Sequence, residues 1–238
     1  MKVINTENYF NKIIEIEVNQ KFGNNINGLK EDYRGKRFEE VFVELCNKEN
    51  KTVEENKLLE NIFNKKVISA KKIPNNYKAD IVVYFEDKTN TYISLKNSKT
   101  KFVGGLECSI NSFSNFFNDE KLEQSLKVYK ELKFSKILFS KNHPDEAKYF
   151  QEYINTNKKK FLKFILEGQS DINKPDSIMF LEKEGTKLYF STIDEYINLI
   201  ISKGSLGTFN SHTNITRTSG TYCNLKFKIQ NPLKLKNL

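Results

Sequence analysis

Apolar residues in the first quarter of the chain recur at helical spacing. They do so over residues 5–21, a break containing Gly and Asn follows at 22–30, and a second helix is predicted from Asp32. The apolar stripe of this second helix has the spacing i, i+3, i+4, i+7 and consists of Phe38, Val41, Phe42 and Leu45. A third helix is predicted over residues 53–63.

The period then changes to that of β-strands. Residues 79–85 and 91–96 are rich in β-branched and aromatic side chains and flank a polar turn, which predicts two consecutive strands. Further helices are predicted over 119–132, 145–167 and 192–204, further strands over 177–183 and 186–192, and a closing hairpin that turns near residues 219–220. This order predicts an α+β fold: a single domain over residues 1–238, with a central mixed β-sheet flanked by helices.

Composition narrows the class of protein. The 238 residues are 38% hydrophobic and 13% aromatic, which excludes a disordered chain. No apolar run reaches the roughly 18 residues that a membrane-spanning helix needs, and residues 1–20 lack the pattern of a signal peptide. Cys46, Cys108 and Cys223 are too few and too scattered for a disulfide framework or a zinc cluster. We therefore expect a cytoplasmic protein with reduced thiols.

The charge is positive and unevenly placed. Lys and Arg number 39 against 30 Asp and Glu, a net charge of +9. No acidic residue follows Glu195, whereas residues 196–238 contain six basic residues. Such a segment favours binding to a polyanion, most commonly nucleic acid, although a basic bias that serves solubility alone stays open. A membrane surface is less favoured because the segment does not have the pattern of an amphipathic helix.

Three polar residues on the first strand pair suggest catalytic chemistry. Asp80 begins one strand, and Ser94 and Lys96 lie near the end of the next. Residues two apart on a strand share a face, so Ser94 and Lys96 can converge with Asp80. A carboxylate that binds a divalent cation beside a lysine suits phosphodiester hydrolysis, because the metal polarises the phosphate and the lysine positions or activates a water.

Asp80, thirteen intervening residues and then Ser94-Leu95-Lys96 resemble the motif of PD-(D/E)xK nucleases. The family usually has Glu or Asp where this chain has Ser94, and the chain in this respect resembles the MspI-like subgroup of type II restriction endonucleases. The resemblance implies a restriction-endonuclease-like fold and Mg²⁺ as cofactor. It also implies catalytic roles for Asp80, Ser94, Lys96 and Glu39, with Mg²⁺ held by Asp80, Glu39 and the Leu95 carbonyl.

The same resemblance extends over short patches between about residues 33 and 228. Residues 35–39 are similar to the early helix whose Glu contributes to the active site, residues 96–101 to the basic stretch after the catalytic lysine, and residues 204–228 to the closing DNA-contacting hairpin. The basic segment 204–238 is accordingly the expected DNA-contacting hairpin and tail. The residues expected to contact DNA are Lys99, Lys101, Asn214, Thr216, Arg217, Ser219, Thr221, Lys226 and Lys228. Arg217 suits a bidentate guanine contact, and the lysines suit phosphates.

The resemblance implies a prokaryotic, sequence-specific double-strand DNA endonuclease with a short, four-base-pair palindromic target. It further implies a companion DNA methyltransferase as a functional partner, no membrane, and a monomer or homodimer. Another nuclease of the superfamily, acting in repair or on junctions, and a DNA-binding protein without catalysis remain alternatives. Asn97 and Lys99 form a competing polar-x-Lys pair, Glu39 could be one exposed glutamate among several, and Arg34 and Arg37 could simply pair with nearby glutamates.

Overall fold

The computed structural model describes residues 1–22, 27–74, 77–98, 100–132, 136–182, 186–203, 215–217 and 225–235. The chain divides into two compact units. The first unit contains residues 1–101, 170–196 and 231–238, and the second contains 102–169 and 197–230. A single nuclease domain over 1–238 stays a prediction.

The elements follow one another as a mixture of strands and helices. The strands are β1 (Lys2–Asn5), β2 (Val67–Lys72), β3 (Ile81–Phe85), β4 (Asn90–Ser98), β5 (Phe102–Cys108), β6 (Ser177–Glu182), β7 (Lys187–Thr192), β8 (Ile215–Arg217) and β9 (Leu225–Gln230). The helices are α1 (Tyr9–Phe22), α2 (Asn27–Asn47), α3 (Val53–Phe63), α4 (Ile110–Phe117), α5 (Glu120–Glu131), α6 (Lys136–Asn142), α7 (Pro144–Thr156), α8 (Lys158–Glu167) and α9 (Ile193–Ser202).

The first unit contains a six-stranded sheet with the strand order β1-β7-β6-β4-β3-β2. Its neighbours are antiparallel except for β4 and β6, which run parallel. The predicted α+β fold with a central mixed sheet flanked by helices is therefore confirmed. β4 lies in the interior of the sheet between β3 and β6, and its residues Ile93, Ser94 and Leu95 are all buried.

Helix α2 packs its predicted apolar stripe against this sheet. Phe38, Val41, Phe42 and Leu45 are all at most 2% exposed and share one core with Ile93 and Leu95 of β4. The next helix, α3, begins with a capping box in which Thr52 and Glu55 satisfy each other's backbone N–H groups. The 3.6-residue stripe thus fixes which face of α2 points to the sheet and which residues remain at its edge.

Two arginines fasten α2 to α1. Arg34 forms a bidentate pair with Glu15 at 2.7 and 2.8 Å, and Arg37 does the same with Glu17 at 2.5 and 2.9 Å. Arg37 also donates to Glu44, which lies two turns further along α2. Arg34 is only 9% exposed, so its charge requires the carboxylate beside it. Both arginines thus pair with glutamates, chiefly on the neighbouring helix.

The second unit contains a three-stranded antiparallel sheet, with the order β5-β9-β8. One face packs on helices: the Phe227 ring stacks on Phe113 at 5.4 Å and meets Phe161 edge-on. Strand β5 has an irregular register between Gly104 and Leu106. At Gly105 a Cβ would lie 2.5 Å from the Ile165 side chain, so only glycine allows this approach of strand and helix.

Several elements differ from those predicted. Strands β1, β2 and β5 and helices α4 and α6 were not predicted, and the helix predicted over 145–167 is two helices separated at Asn157. Strand β1 pairs with β7 and ends at Asn5, the first residue of the segment predicted as the first helix, and the helix itself begins at Tyr9. No helix in the described ranges is both long and apolar enough to cross a bilayer.

The Arg37–Glu17 pair generates a prediction about stability. Hydrogen bonds from Arg37 hold the pKa of Glu17 below its ordinary value. A depressed carboxylate pKa stabilises the fold above the pKa of the unfolded chain, and this contribution is lost as the pH falls through the folded-state pKa. Glu17→Gln should therefore lower the free energy of unfolding by roughly 1 kcal/mol at pH 7 and by little in acid. Urea unfolding at a series of pH values measures this.

Glu60→Gln is the matched control, because Glu60 is exposed on α3 and has no ion pair within the described parts of the chain. This substitution should change the free energy of unfolding little at any pH. A cost for Glu17→Gln that is the same at neutral and acidic pH would contradict the role given to its charge.

Candidate active site

Asp80 lies at the point where the β3–β4 ladder ends. Ile81 pairs with Ile93 in the antiparallel register, so Asp80 and Ser94 are the next opposed positions and their side chains share a face. The Asp80 N–H donates to the Ile93 carbonyl, and its own carbonyl accepts from Ile73. Since Lys96 is two residues beyond Ser94, it lies on this face as well.

One oxygen of Asp80 gathers three donors. Its Oδ2 accepts the Ser94 hydroxyl at 3.1 Å and the Leu95 N–H at 2.6 Å, and it lies 3.6 Å from the Lys96 ammonium. Within the described residues no donor reaches Oδ1, and the Asp80 side chain is 25% exposed. The carboxylate is thus held at one oxygen and available at the other.

The Leu95 backbone completes this end of the sheet. Its N–H goes to the Asp80 side chain rather than to a neighbouring strand, while the preceding Ala79 N–H goes to the Asn173 carbonyl. The strands therefore separate just beyond Asp80. Because the N–H and C=O of one strand residue point to the same side, the Leu95 carbonyl lies on the side of Asp80. Ser94, at 2% exposed, is a buried hydroxyl whose hydrogen bond is satisfied by Asp80.

Glu39 approaches the same region from α2. It follows Phe38 of the apolar stripe, its side chain is 19% exposed, and its Oε2 lies 3.3 Å from Lys72 on β2. Burial raises the pKa of Glu39, and the negative charge of Asp80 raises it further, while Lys72 and Lys96 oppose the shift. Glu39 is therefore within electrostatic range of both Asp80 and Lys96.

Lys72 was not predicted from the sequence to be a residue of the site. It contacts Glu39 and also Glu40, at 3.5 Å, and its register partner Ile81 is the neighbour of Asp80. The signal was present in residues 67–72, which begin with the β-branched pair Val67 and Ile68 and end in two lysines, but this segment was not predicted as a strand. Once β2 is placed beside β3, Lys72 follows as a neighbour of the site.

Asn97 follows Lys96 on β4. Its Oδ1 is buried and, as far as the described chain extends, accepts no hydrogen bond. Lys99, the second member of the competing pair, lies outside the described residues. The residues that the structure brings together are thus Asp80, Ser94 and Lys96, with Glu39 in electrostatic range.

The residues expected to contact DNA are described only in part. Lys101 is exposed after β4. Thr216 and Arg217 belong to β8, and Lys226 and Lys228 to the antiparallel partner β9. In the register Thr216 opposes Lys226, whereas Arg217 opposes Leu225. Lys99, Asn214, Ser219 and Thr221 lie outside the described residues, as does the turn expected near 219–220.

The donor set of this region suits a hard divalent cation. Asp80 and Glu39 offer carboxylate oxygens and Leu95 offers a carbonyl, and oxygen is the ligand that Mg²⁺ prefers. Among the residues described, no group of three or more His, Cys, Asp or Glu side chains could hold a metal ion by itself. Mg²⁺ commonly retains several waters beside one or two carboxylates, so a set of two carboxylates and a carbonyl fits it.

No family model matches the chain, and no curated protein sequence is similar to it. Among solved structures, it is similar to that of restriction endonuclease MspI in complex with its cognate DNA, with a TM-score of 0.64. The match covers 90% of this chain and 97% of that one, at 17% sequence identity. At this sequence identity, the similarity shows the fold and nothing further. The chain has a restriction-endonuclease-like fold.

Proposed function

We propose that this protein is a Mg²⁺-dependent, sequence-specific double-strand DNA endonuclease of the type II restriction kind. The observation that carries the proposal is the cluster around Asp80 in a restriction-endonuclease-like fold: a carboxylate held at one oxygen, the Lys96 ammonium and the backbone of Leu95. The solved structure to which it is similar is that of a restriction endonuclease with its cognate DNA.

Mg²⁺ would be held by Asp80, through its available Oδ1, by the Leu95 carbonyl, and by Glu39 directly or through water. When bound, it supplies positive charge that polarises the phosphodiester and favours ionisation of a water. Asp80 is oriented for this task because Ser94 and the Leu95 N–H fix its other oxygen. Ser94 thereby acts as a positioning residue and provides no charge of its own.

Lys96 is the residue that acts on the water and the phosphate. Its ammonium lies 3.6 Å from Asp80 on a side chain that is 19% exposed, so its position is restricted by the strand and by the carboxylate. It orients the attacking water and offsets the negative charge that develops on the phosphate oxygens. A cation fixed in advance is more effective than a mobile one because it needs no reorganisation during the reaction.

DNA would be held by the basic residues outside this cluster. Lys101 and the lysines of β9 suit phosphate contacts, and Arg217 on β8 suits a guanine edge. The net charge of +9 supports attraction to a polyanion. A four-base-pair palindromic target, a companion methyltransferase and a monomeric or homodimeric enzyme belong to the same proposal.

The first prediction from this function concerns a digest of unmethylated phage DNA by the purified protein. Discrete fragments should form with Mg²⁺, and none should form with EDTA, because removal of the cation removes the charge that polarises the phosphate. Sequencing of the fragment ends gives the target and the cut. A smear would instead indicate a non-specific or structure-selective nuclease, and intact DNA that shifts on a gel would indicate a binding protein without catalysis.

The second prediction concerns Asp80 and Lys96. Asp80→Asn and Lys96→Ala should each lower the rate of cleavage by about 10³-fold while the protein still binds DNA in EDTA. Asp87→Asn, in the turn after β3, and Lys187→Ala, on β7, are matched controls and should cleave normally. Loss of DNA binding by Lys96→Ala, rather than of cleavage alone, would contradict the assignment and favour the binding protein.

The third prediction uses Ser94. Ser94→Asp places a second carboxylate beside Asp80 at a position 2% exposed, so it should lower Tm without metal. Mg²⁺ should then raise Tm more for this variant than for the wild type, since it neutralises the added charge. Ser94→Asn is the neutral control and should lack the larger Mg²⁺ response. An equal response of all three proteins would argue against a cation at Asp80.

A further inference from the structure

Gly104 of β5 is a glycine that the fold does not require. A Cβ built on it meets no atom within 4 Å, and its φ lies outside the left-handed region that favours glycine. Gly105, next to it, is required because a Cβ there would collide with Ile165. Glycine in a strand interior weakens the strand unless another backbone or a ligand approaches closely. No group in the described second unit makes that approach to Gly104.

A groove lies beside Gly104 on strands β5 and β9. The groove has a volume of about 320 Å³ and is lined by Gly104, Gly105, Leu106, Glu107, Phe227 and Lys228. Gly104 is exposed and opposes Lys228 in the register, so a lysine stands directly across the ladder from the missing side chain.

The charge of these strands indicates which ligand fits. Strands β8 and β9 contain Arg217, Lys226 and Lys228 and no acidic residue. The groove's acidic residue, Glu107, opposes Lys226 in the register. Gly104 has no side chain and lies opposite Lys228. Such a position suits a sugar–phosphate backbone, which needs room for the sugar and a cation for the phosphate.

We propose that Gly104 is a contact point for the sugar–phosphate backbone of duplex DNA, kept free of a side chain so that the backbone can approach β5 beside Lys228. The inference rests on the proposed function in its choice of ligand and adds a binding residue of the second unit. The contact sets how the duplex lies on the sheet and takes no part in chemistry at Asp80.

The test is a size series, Gly104→Ala, Gly104→Val and Gly104→Leu. Thermal unfolding should give a Tm equal to or above that of the wild type, because the added side chain meets open space and strand propensity improves. The Kd for a random-sequence duplex, measured by fluorescence anisotropy in EDTA, should rise with side-chain size and reach about tenfold for leucine. In cleavage assays KM should rise while kcat changes little, since Gly104 has no side chain that could take part in the chemistry.

Asn115→Leu, on the exposed surface of α4, is the matched control and should leave the Kd unchanged. Lys228→Gln should weaken binding and lower the salt dependence of the Kd by about one unit of slope. Gly104→Leu should weaken binding without this change of slope, because it removes no charge.

Three outcomes would overturn the inference. They are wild-type DNA affinity in Gly104→Leu, a fall in Tm across the series, and loss of self-association as the only change, which would make the groove an interface between copies of the chain. The proposed function fails separately. A wild-type protein that binds DNA without cutting it leaves the Gly104 contact intact, and a cutting enzyme whose Gly104→Leu variant binds normally refutes the contact alone.

Discussion

The hydrogen bond from the Leu95 N–H to the Asp80 carboxylate is the interaction around which the candidate site is built. At 2.6 Å it ties the residue before β3 to Leu95 of β4, just beyond the last paired residues of the two strands. It holds one carboxylate oxygen, leaves the other available, and places the Leu95 carbonyl on the same side. Asp80 is thus positioned by a backbone group, and a change of side chain at Leu95 leaves that donor in place.

The placement of Glu39 depends on a different set of forces. Its helix is oriented by the buried stripe of Phe38 and Phe42 and is fastened to α1 by the pairs that Arg34 and Arg37 make with Glu15 and Glu17. A partly buried arginine paired in bidentate geometry restricts rotation and sliding of the helix more than apolar contact does. The two carboxylates of the site therefore reach it from independent supports, one from the sheet and one from the helix layer.

The elements that could be predicted from the sequence are those whose hydrophobic pattern extends over enough residues to be recognised. Helix α2 has two apolar turns in register, which predict the helix from a period of 3.6. β3 and β4 are rich in β-branched and aromatic residues on either side of a polar turn, and the strand period of 2 then predicts the convergence of Asp80 with Ser94 and Lys96. Strand β1 has only four residues and depends on pairing with β7, which lies almost two hundred residues away. The break at Asn157 leaves helical spacing intact on both sides, so periodicity alone runs through it. The relation of Lys72 to Glu39 required the order of strands, which no local pattern contains.

The serine at position 94 has a consequence for the charge of the site. With serine there, the carboxylate of Asp80 has Lys96 beside it, and Lys72 lies beside Glu39 and Glu40. An acid at position 94, as in the usual motif, would add a buried negative charge 2% exposed to solvent, which is costly without a cation. In the proposed enzyme, Mg²⁺ would add positive charge to this group, which is the sign that complements a phosphodiester under attack by hydroxide. A neutral residue at position 94 would then favour binding of the anionic transition state, because less negative charge of the protein opposes the phosphate.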